Sequence, residues 1–128
     1  MKRIASMVVG AVAVAGLAVV QADATPVMER PLTVSAQDTL GKQIFQGKGT
    51  CFACHGQDAK GTALAPDLTD DEWLNGDGTL ASVSELVKTG VPSPKQFPAP
   101  MPPMGGAQLT DAEVQAVAQY VVSLSPES

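Results

Sequence analysis

The chain has 128 residues, a size that suits one domain, and a formal net charge of −5 at pH 7. An acidic chain of this kind is a poor partner for nucleic acid or for an anionic membrane surface, and we expect it to bind neither. It contains two cysteines and one histidine, so any metal or redox site has few of the usual ligands to draw on.

The N-terminal residues have the pattern of a secretory signal peptide. A basic start is followed by an apolar run over residues 4–20 and by a small-x-small pattern that ends at Ala24. We predict cleavage after Ala24 (signal peptide 1–24) and a periplasmic protein. A retained membrane anchor facing the periplasm is the alternative, although the run is at the short end for a span. Residues 25–35 are predicted as a flexible leader and residues 36–126 as the folded domain.

Two segments in the first part of the domain have helical spacing of apolar residues. The first covers residues 36–46, with Ser35 as the expected N-cap and Gly47 as the expected stop. The second covers residues 80–88, with Thr79 as the expected N-cap. Both are short helices with one apolar face.

The third predicted helix, residues 111–124, has the clearest signal. Thr110 and Glu113 have the spacing of a capping box. Its apolar stripe consists of Val114, Val117, Val121 and Leu124. Long irregular stretches rich in glycine and proline, residues 56–78 and 91–106, separate the helices, and no strand of useful length is evident. We therefore predict an all-α domain whose long loops bind something.

The predicted core is small for a domain of this length. After residue 24 the large aromatic side chains are Phe45, Phe52, Trp73, Phe97 and Tyr120. Small domains with little apolar core often depend on a metal, a cofactor or a staple. We therefore expect a bound group to complete the core.

The stretch Cys51-Phe52-Ala53-Cys54-His55 provides a site for that group. Its C-x-x-C-H spacing is the attachment pattern of c-type haem, in which both thiols form thioethers and the imidazole binds the iron. A zinc site would need a fourth ligand, and the chain has no further cysteine or histidine. A thioredoxin-like site would need a preceding strand, and a catalytic Cys–His pair would not need two cysteines.

The second axial ligand of such an iron would be a methionine, since no second histidine exists. Methionine with histidine is the usual ligand pair of electron carriers. Outside the signal peptide and the leader, the methionines are Met101 and Met104, both in the proline-rich stretch "FPAPMPPMGG". Proline restricts the backbone there and would hold a thioether in place.

With these motifs the chain resembles the class I cytochromes c, small exported monohaem proteins of bacterial type. The resemblance covers about residues 36–126 and consists of the stretches "GKQIF", "CFACHG", "APDLTDDEWL", "MPPMGG" and "LTDAEVQAVAQYV". It implies a small cytochrome c fold, with three to five short helices and long loops around one covalently bound haem c and its iron.

The resemblance also implies individual roles. Pro66 corresponds to the proline whose carbonyl accepts the Nδ1–H of the haem histidine, here His55. Met101 corresponds to the iron ligand and Met104 to an apolar packing residue, with Met104 as the alternative ligand. Trp73 corresponds to an aromatic residue beside the haem, which either donates to a haem propionate or is a plain core residue.

A second set of positions concerns the packing of the first helix on the last. Gly41 and Phe45 correspond to the small and the aromatic position at which these helices cross. Tyr120 corresponds to the residue of the last helix nearest this crossing. A glycine suits such a position because it lets two helix backbones approach closely.

The function implied is that of a one-electron carrier between exported or membrane redox proteins. Its donor would be a dehydrogenase or a cytochrome complex, and its acceptor an oxidase or a reductase. The alternative is an electron-transfer subunit of a dehydrogenase or terminal oxidase complex. A ligand-binding or peroxidase-like haem protein with an open iron is less favoured. We expect a monomer or a subunit of a complex, with no catalytic activity of its own.

Overall fold

The computed structural model describes residues 33–126. The predicted signal peptide, its alternative as an anchor and nearly all of the predicted leader lie outside this range. Across residues 33–126, none of the helices has both the length and the apolar character that a membrane span requires.

Within residues 33–126 the structure contains four α-helices. They are α1 (Val34–Gln46), α2 (Phe52–His55), α3 (Leu80–Thr89) and α4 (Asp111–Leu124), and a short 3₁₀ turn, Pro103–Gly106, precedes α4. Between Thr33 and Pro126 there is no β-strand, although one isolated antiparallel bridge joins Val91 to Met101. The prediction of a small all-α fold is confirmed.

The start of α1 differs from the prediction. The N-cap is Thr33, whose hydroxyl accepts from the Ala36 N–H at 3.4 Å, and the predicted cap, Ser35, lies inside the helix. Helix α1 therefore begins at Val34, two residues before the predicted start at residue 36. The earlier start adds the hydrogen bond from the Gln37 N–H to the Thr33 carbonyl at 2.9 Å. Threonine and serine are similar caps, so side-chain chemistry alone does not choose between them.

The predicted cap of α3, the predicted stop of α1 and the predicted capping box of α4 are confirmed, whereas α3 ends one residue later than predicted, at Thr89. The Thr79 hydroxyl caps α3 through the Ser82 N–H, and Gly47 ends α1. At α4 the capping box is complete, since Thr110 accepts from the Glu113 N–H and the Glu113 carboxylate accepts from the Thr110 N–H. These caps satisfy backbone donors that a helix cannot pair internally.

The crossing of α1 and α4 organises the fold. Gly41 is buried on α1, and a Cβ there would overlap the Ala116 carbonyl and the Tyr120 Cβ on α4. The missing side chain thus lets the two helix backbones touch. Phe45, one turn further along α1, then packs edge-on against Tyr120 with ring centroids 5.7 Å apart. The crossing implied by the resemblance is present.

An ion pair between Lys48 and Glu113 connects the segment before α2 to the first turn of α4. The Lys48 ammonium donates to both carboxylate oxygens of Glu113, at 2.7 and 2.8 Å. Together with the capping bond from the Thr110 N–H, it lowers the pKa of Glu113 from 4.5 to about 2. One carboxylate therefore caps α4 and also holds the chain near the C-x-x-C-H motif.

We expect Glu113→Gln to lower stability at neutral pH and to change its acid dependence. Because the pKa of Glu113 is lowered by folding, its contribution is complete above about pH 4.5 and is lost as the pH falls through about 2. The melting temperatures of wild type and variant should therefore converge over that interval. Thermal unfolding from pH 7 down to 2, with the exposed Glu85→Gln as control, checks this. A constant gap at every pH would contradict it.

The centre of the molecule is only partly filled by side chains. The largest fully buried residues are Phe45, Val114 and Val117. Helix α3 packs on α4 and on the 3₁₀ turn, and the loops close around a cavity between them. The sequence-based expectation of a thin core agrees with this arrangement.

Candidate functional site

The C-x-x-C-H motif forms a single helical turn at the edge of the cavity. Thr50 takes a left-handed conformation, with φ of 51°, and α2 begins directly after Cys51. The His55 N–H donates to the Cys51 carbonyl at 3.0 Å, which closes the turn. Cys51 and His55 both line the cavity, and burial raises the pKa of the free Cys51 thiol.

His55 is fixed by one directed contact. Its ring Nδ1 lies 3.0 Å from the Pro66 carbonyl oxygen, which can only accept, so Nδ1 has the proton and Nε2 keeps its lone pair. The Phe45 ring lies 6.5 Å from the imidazole, centroid to centroid. Burial lowers the pKa of His55, against a smaller opposite effect of the bond to Pro66. A neutral imidazole with a fixed tautomer is the form that binds metals.

The loop after α2 brings Pro66 to the histidine. The Gly61 N–H donates to the His55 carbonyl at 2.8 Å, and the Thr62 hydroxyl donates to the Cys54 carbonyl at 2.6 Å. Gly61 has φ of +75°, and a Cβ there would overlap the Asp67 nitrogen and the Pro66 carbonyl carbon. Gly61 and Thr62 were not predicted as site residues, because only the folded loop shows that they hold Pro66 close.

The cavity has about 1000 Å³ of free space, part of it open to solvent. Most of its lining is apolar and comes from α1, α3, α4 and the two long loops. A smaller adjoining space of about 530 Å³ is lined by Cys54 as well as by Cys51, His55 and Met101. Cys51, His55 and Met101 therefore line both spaces, and Cys54 lines the smaller one.

The two candidate methionines are in different environments. Met101 lines both spaces, and its backbone is paired with Val91 through N–H···O distances of 2.8 and 3.0 Å. Met104 lines neither, and its sulfur accepts from the Leu109 N–H at 3.4 Å. Met104 also has φ of 55°, a left-handed backbone inside the 3₁₀ turn. This difference favours Met101 as the ligand, which stays a prediction.

Trp73 lies in the cavity wall and packs against Gly78, where a Cβ would overlap the indole. Its indole N–H has no acceptor among residues 33–126. The residue is half-buried and touches the core. Both predicted roles, propionate donor and core aromatic, are compatible with this position.

The donor set fits a haem. Two thiols three positions apart lie on one turn, the adjacent imidazole has a free Nε2, and a thioether lines the same apolar space. Haem suits such a mostly apolar cavity because most of its own surface is apolar. Soft sulfur and imidazole ligands are those that hold haem iron in c-type proteins.

Comparison with known proteins agrees with this donor set. A family model described as cytochrome c matches residues 39–125, more than half of the chain. The chain belongs to the cytochrome c family, and its cofactor is covalently bound haem c with iron.

Among curated proteins the chain is similar to subunits of cbb3-type cytochrome c oxidases. It is 37% identical over 102 residues to subunit CcoP of Rubrivivax gelatinosus, covering 77% of this chain and 31% of that protein. It is 39% identical over 95 residues to CcoP of Rhodobacter capsulatus, covering 70% and 30%. It is 36% identical over 118 residues to subunit FixP of a Bradyrhizobium strain, covering 90% and 37%. The chain thus spans about a third of the length of these relatives.

A solved structure of cytochrome cL from Methylophaga aminisulfidivorans is also similar. The identity is 24% and the TM-score 0.46, over 68% of this chain and 52% of that one. This similarity is too low for a comparison of sites.

Proposed function

We propose that this chain is an electron-transfer cytochrome that works as a subunit of a terminal oxidase complex, passing one electron at a time. The observation that carries the proposal is that His55, held by Pro66, lines the same apolar cavity as Met101 and Cys51. When bound, haem c supplies a one-electron couple. A histidine and a methionine that both bind the iron leave no open position, which suits electron transfer rather than ligand binding.

Residues of the chain support electron transfer by fixing the positions of the two proposed iron ligands. The Pro66 carbonyl fixes the His55 ring, and the Val91–Met101 bridge fixes the backbone that presents the thioether. Cys51 and Cys54 anchor the cofactor to one helical turn. A site that moves little between two oxidation states needs little reorganisation when an electron arrives.

The similarity to CcoP and FixP supports a place in an oxidase rather than a freely diffusing shuttle. The chain spans only about a third of the length of these relatives, so assembly with such an oxidase is part of the proposal. We place the chain on the periplasmic side, exported or anchored, on the basis of the signal-like pattern of residues 1–24. It would relay electrons to a catalytic subunit and reduce no substrate itself.

Affinity purification of the tagged full chain from mildly solubilised membranes tests the proposal. We expect it to bring down an oxygen-reducing subunit and to support oxygen uptake by the purified complex. The Cys51→Ser, Cys54→Ser double variant, which cannot form thioethers, should lose that uptake. The matched control is Ala53→Ser, which adds a hydroxyl at the exposed position between the cysteines. Recovery of a haem-loaded cytochrome alone, from the soluble fraction, would favour a free carrier instead.

A further inference from the structure

The wall of the large cavity contains four charged side chains, of which one is a cation. They are Asp67, Asp70, Glu72 and Lys95. The Asp67 carboxylate already has hydrogen-bond partners, because one of its oxygens accepts from the N–H and the hydroxyl of Thr69 at 2.7 Å each. Asp70 and Glu72 form no ion pair within residues 33–126. Lys95 is therefore the positive charge on a wall that otherwise has an excess of negative charge.

The other lysines of the described domain do not line the cavity. Lys48 pairs with Glu113 at 2.7 Å and Lys88 pairs with Asp111 at 2.8 Å. Lys42, on α1, is exposed and does not line the cavity, and neither does Lys60. Lys60 is close enough to act on a wall residue, because the pKa of Asp67 is lowered mainly by its hydrogen bonds to Thr69 and to a smaller extent by Lys60. Among these five lysines, Lys95 is the one that lines the cavity itself.

The segment that contains Lys95 is held against the cavity at both ends. Val91 and Met101 are joined by two backbone hydrogen bonds, so residues 92–100 form a loop with a closed base. The four prolines in this loop limit its backbone freedom. Pro94 and Phe97, on either side of Lys95, also line the cavity. The lysine stem is thus placed along the cavity wall while its ammonium can remain near water.

Haem has two carboxylates, and these are costly to place beside an apolar cavity unless they are paired. The wall offers two neutral donors, the indole N–H of Trp73 and the amide of Asn75. Neither offsets the repulsion from Asp70 and Glu72. A lysine on the opposing loop supplies the missing charge.

We propose that Lys95 is a positioning residue that pairs with a carboxylate of the haem and raises the reduction potential of the iron. The proposal rests on the proposed function, in which the cavity holds a redox-active haem. Reduction adds negative charge to the site, and a nearby cation stabilises the reduced form more than the oxidised one. Loss of the cation should therefore lower the potential.

The test is a spectroelectrochemical titration of the full-length, haem-loaded protein. We expect Lys95→Gln to shift the midpoint potential to lower values. Lys95→Arg, which keeps the positive charge, should have a potential close to that of the wild type. The control Lys42→Gln makes the same change in net charge at an exposed site on α1 and should move the potential much less. The effect of Lys95→Gln should shrink at high salt, because an ammonium near water is screened.

Equal shifts of the midpoint potential in Lys95→Gln and Lys42→Gln would overturn the pairing. Such a result would mean that the potential depends on the net charge of the protein and not on the position of Lys95. If Lys95→Arg has the same low potential as Lys95→Gln, the pairing is overturned as well, because arginine keeps the positive charge and the loss would then not be a loss of charge. The proposed function fails by a different result: a wild-type protein without a reversible haem couple. The two failures are therefore distinguishable in one experiment.

Discussion

Replacing Met101 with leucine should open the iron of the haem-loaded protein. The wild type should be six-coordinate and low-spin, with the sulfur of Met101 bound, and leucine keeps the side-chain volume while removing that sulfur. We expect the methionine–iron absorption band to disappear, the midpoint potential to fall, and carbon monoxide to bind the reduced protein at least about tenfold more tightly, or about 1.4 kcal/mol. Absorption spectra and carbon monoxide titration measure all three.

The matched control is Met104→Leu. The Met104 sulfur accepts from the Leu109 N–H and lines neither part of the cavity. Its replacement should cost less than about 1.5 kcal/mol of stability, as volume-conserving swaps usually do, and should leave the spectrum unchanged. If Met104→Leu loses the absorption band while Met101→Leu keeps it, the assignment of the ligand is reversed.

A third result would change the functional class. If wild-type protein binds carbon monoxide readily and Met101→Leu alters nothing, the iron has an open position in the native state. That outcome would favour the ligand-binding or peroxidase-like alternative over electron transfer. The proline-rich loop would then be a wall of the cavity without a role at the iron.

Local chemistry explains why much of the fold could be predicted from the sequence. The capping box of Thr110 and Glu113 is a four-residue signal, and the structure contains it as predicted. The C-x-x-C-H motif is also local, because its three reactive residues lie within five positions. The end of α1 at Gly47 follows from the same kind of short-range rule.

Tertiary contacts explain what could not be predicted. Ser35 and Thr33 are equally good caps, and the choice depends on how far α1 extends. Gly61 matters because the chain folds back to place Pro66 beside it, a contact that spacing does not reveal. Likewise, Met101 and Met104 are both flanked by proline or glycine. Only the folded structure distinguishes their environments, since Met101 is bridged to Val91 and lines the cavity, whereas Met104 lies outside it and accepts from the Leu109 N–H.

The helix crossing links the fold to the site. Gly41 allows α1 to approach α4 closely. The Phe45 ring then lies between Tyr120 and His55, with ring centroids 5.7 and 6.5 Å away, respectively. A displacement of α1 would therefore move the aromatic side chain that supports the haem histidine. Stability and haem environment should respond together to a change at Gly41.

We expect Gly41→Ala to destabilise the protein by about 2–3 kcal/mol. Alanine favours a helix over glycine by roughly 1 kcal/mol, but the new Cβ would overlap the backbone of Ala116, which no side-chain rotation relieves. The overlap should therefore outweigh the gain in helix propensity. A loss of this size corresponds to a fall in melting temperature of roughly 10–20 °C for a domain of this length. Far-ultraviolet circular dichroism and haem absorption during heating should report the same transition.

Lys42→Ala is the matched control, since it introduces alanine at the neighbouring, exposed position of the same helix. Its melting temperature should stay close to that of the wild type, because exposed substitutions usually change stability by less than about 0.5 kcal/mol. Gly41→Val should be worse than Gly41→Ala, since two more methyl groups must fit where the helices touch. A Gly41→Ala protein as stable as the control would mean that α1 and α4 can separate without loss, and that close backbone contact does not hold Phe45 against His55.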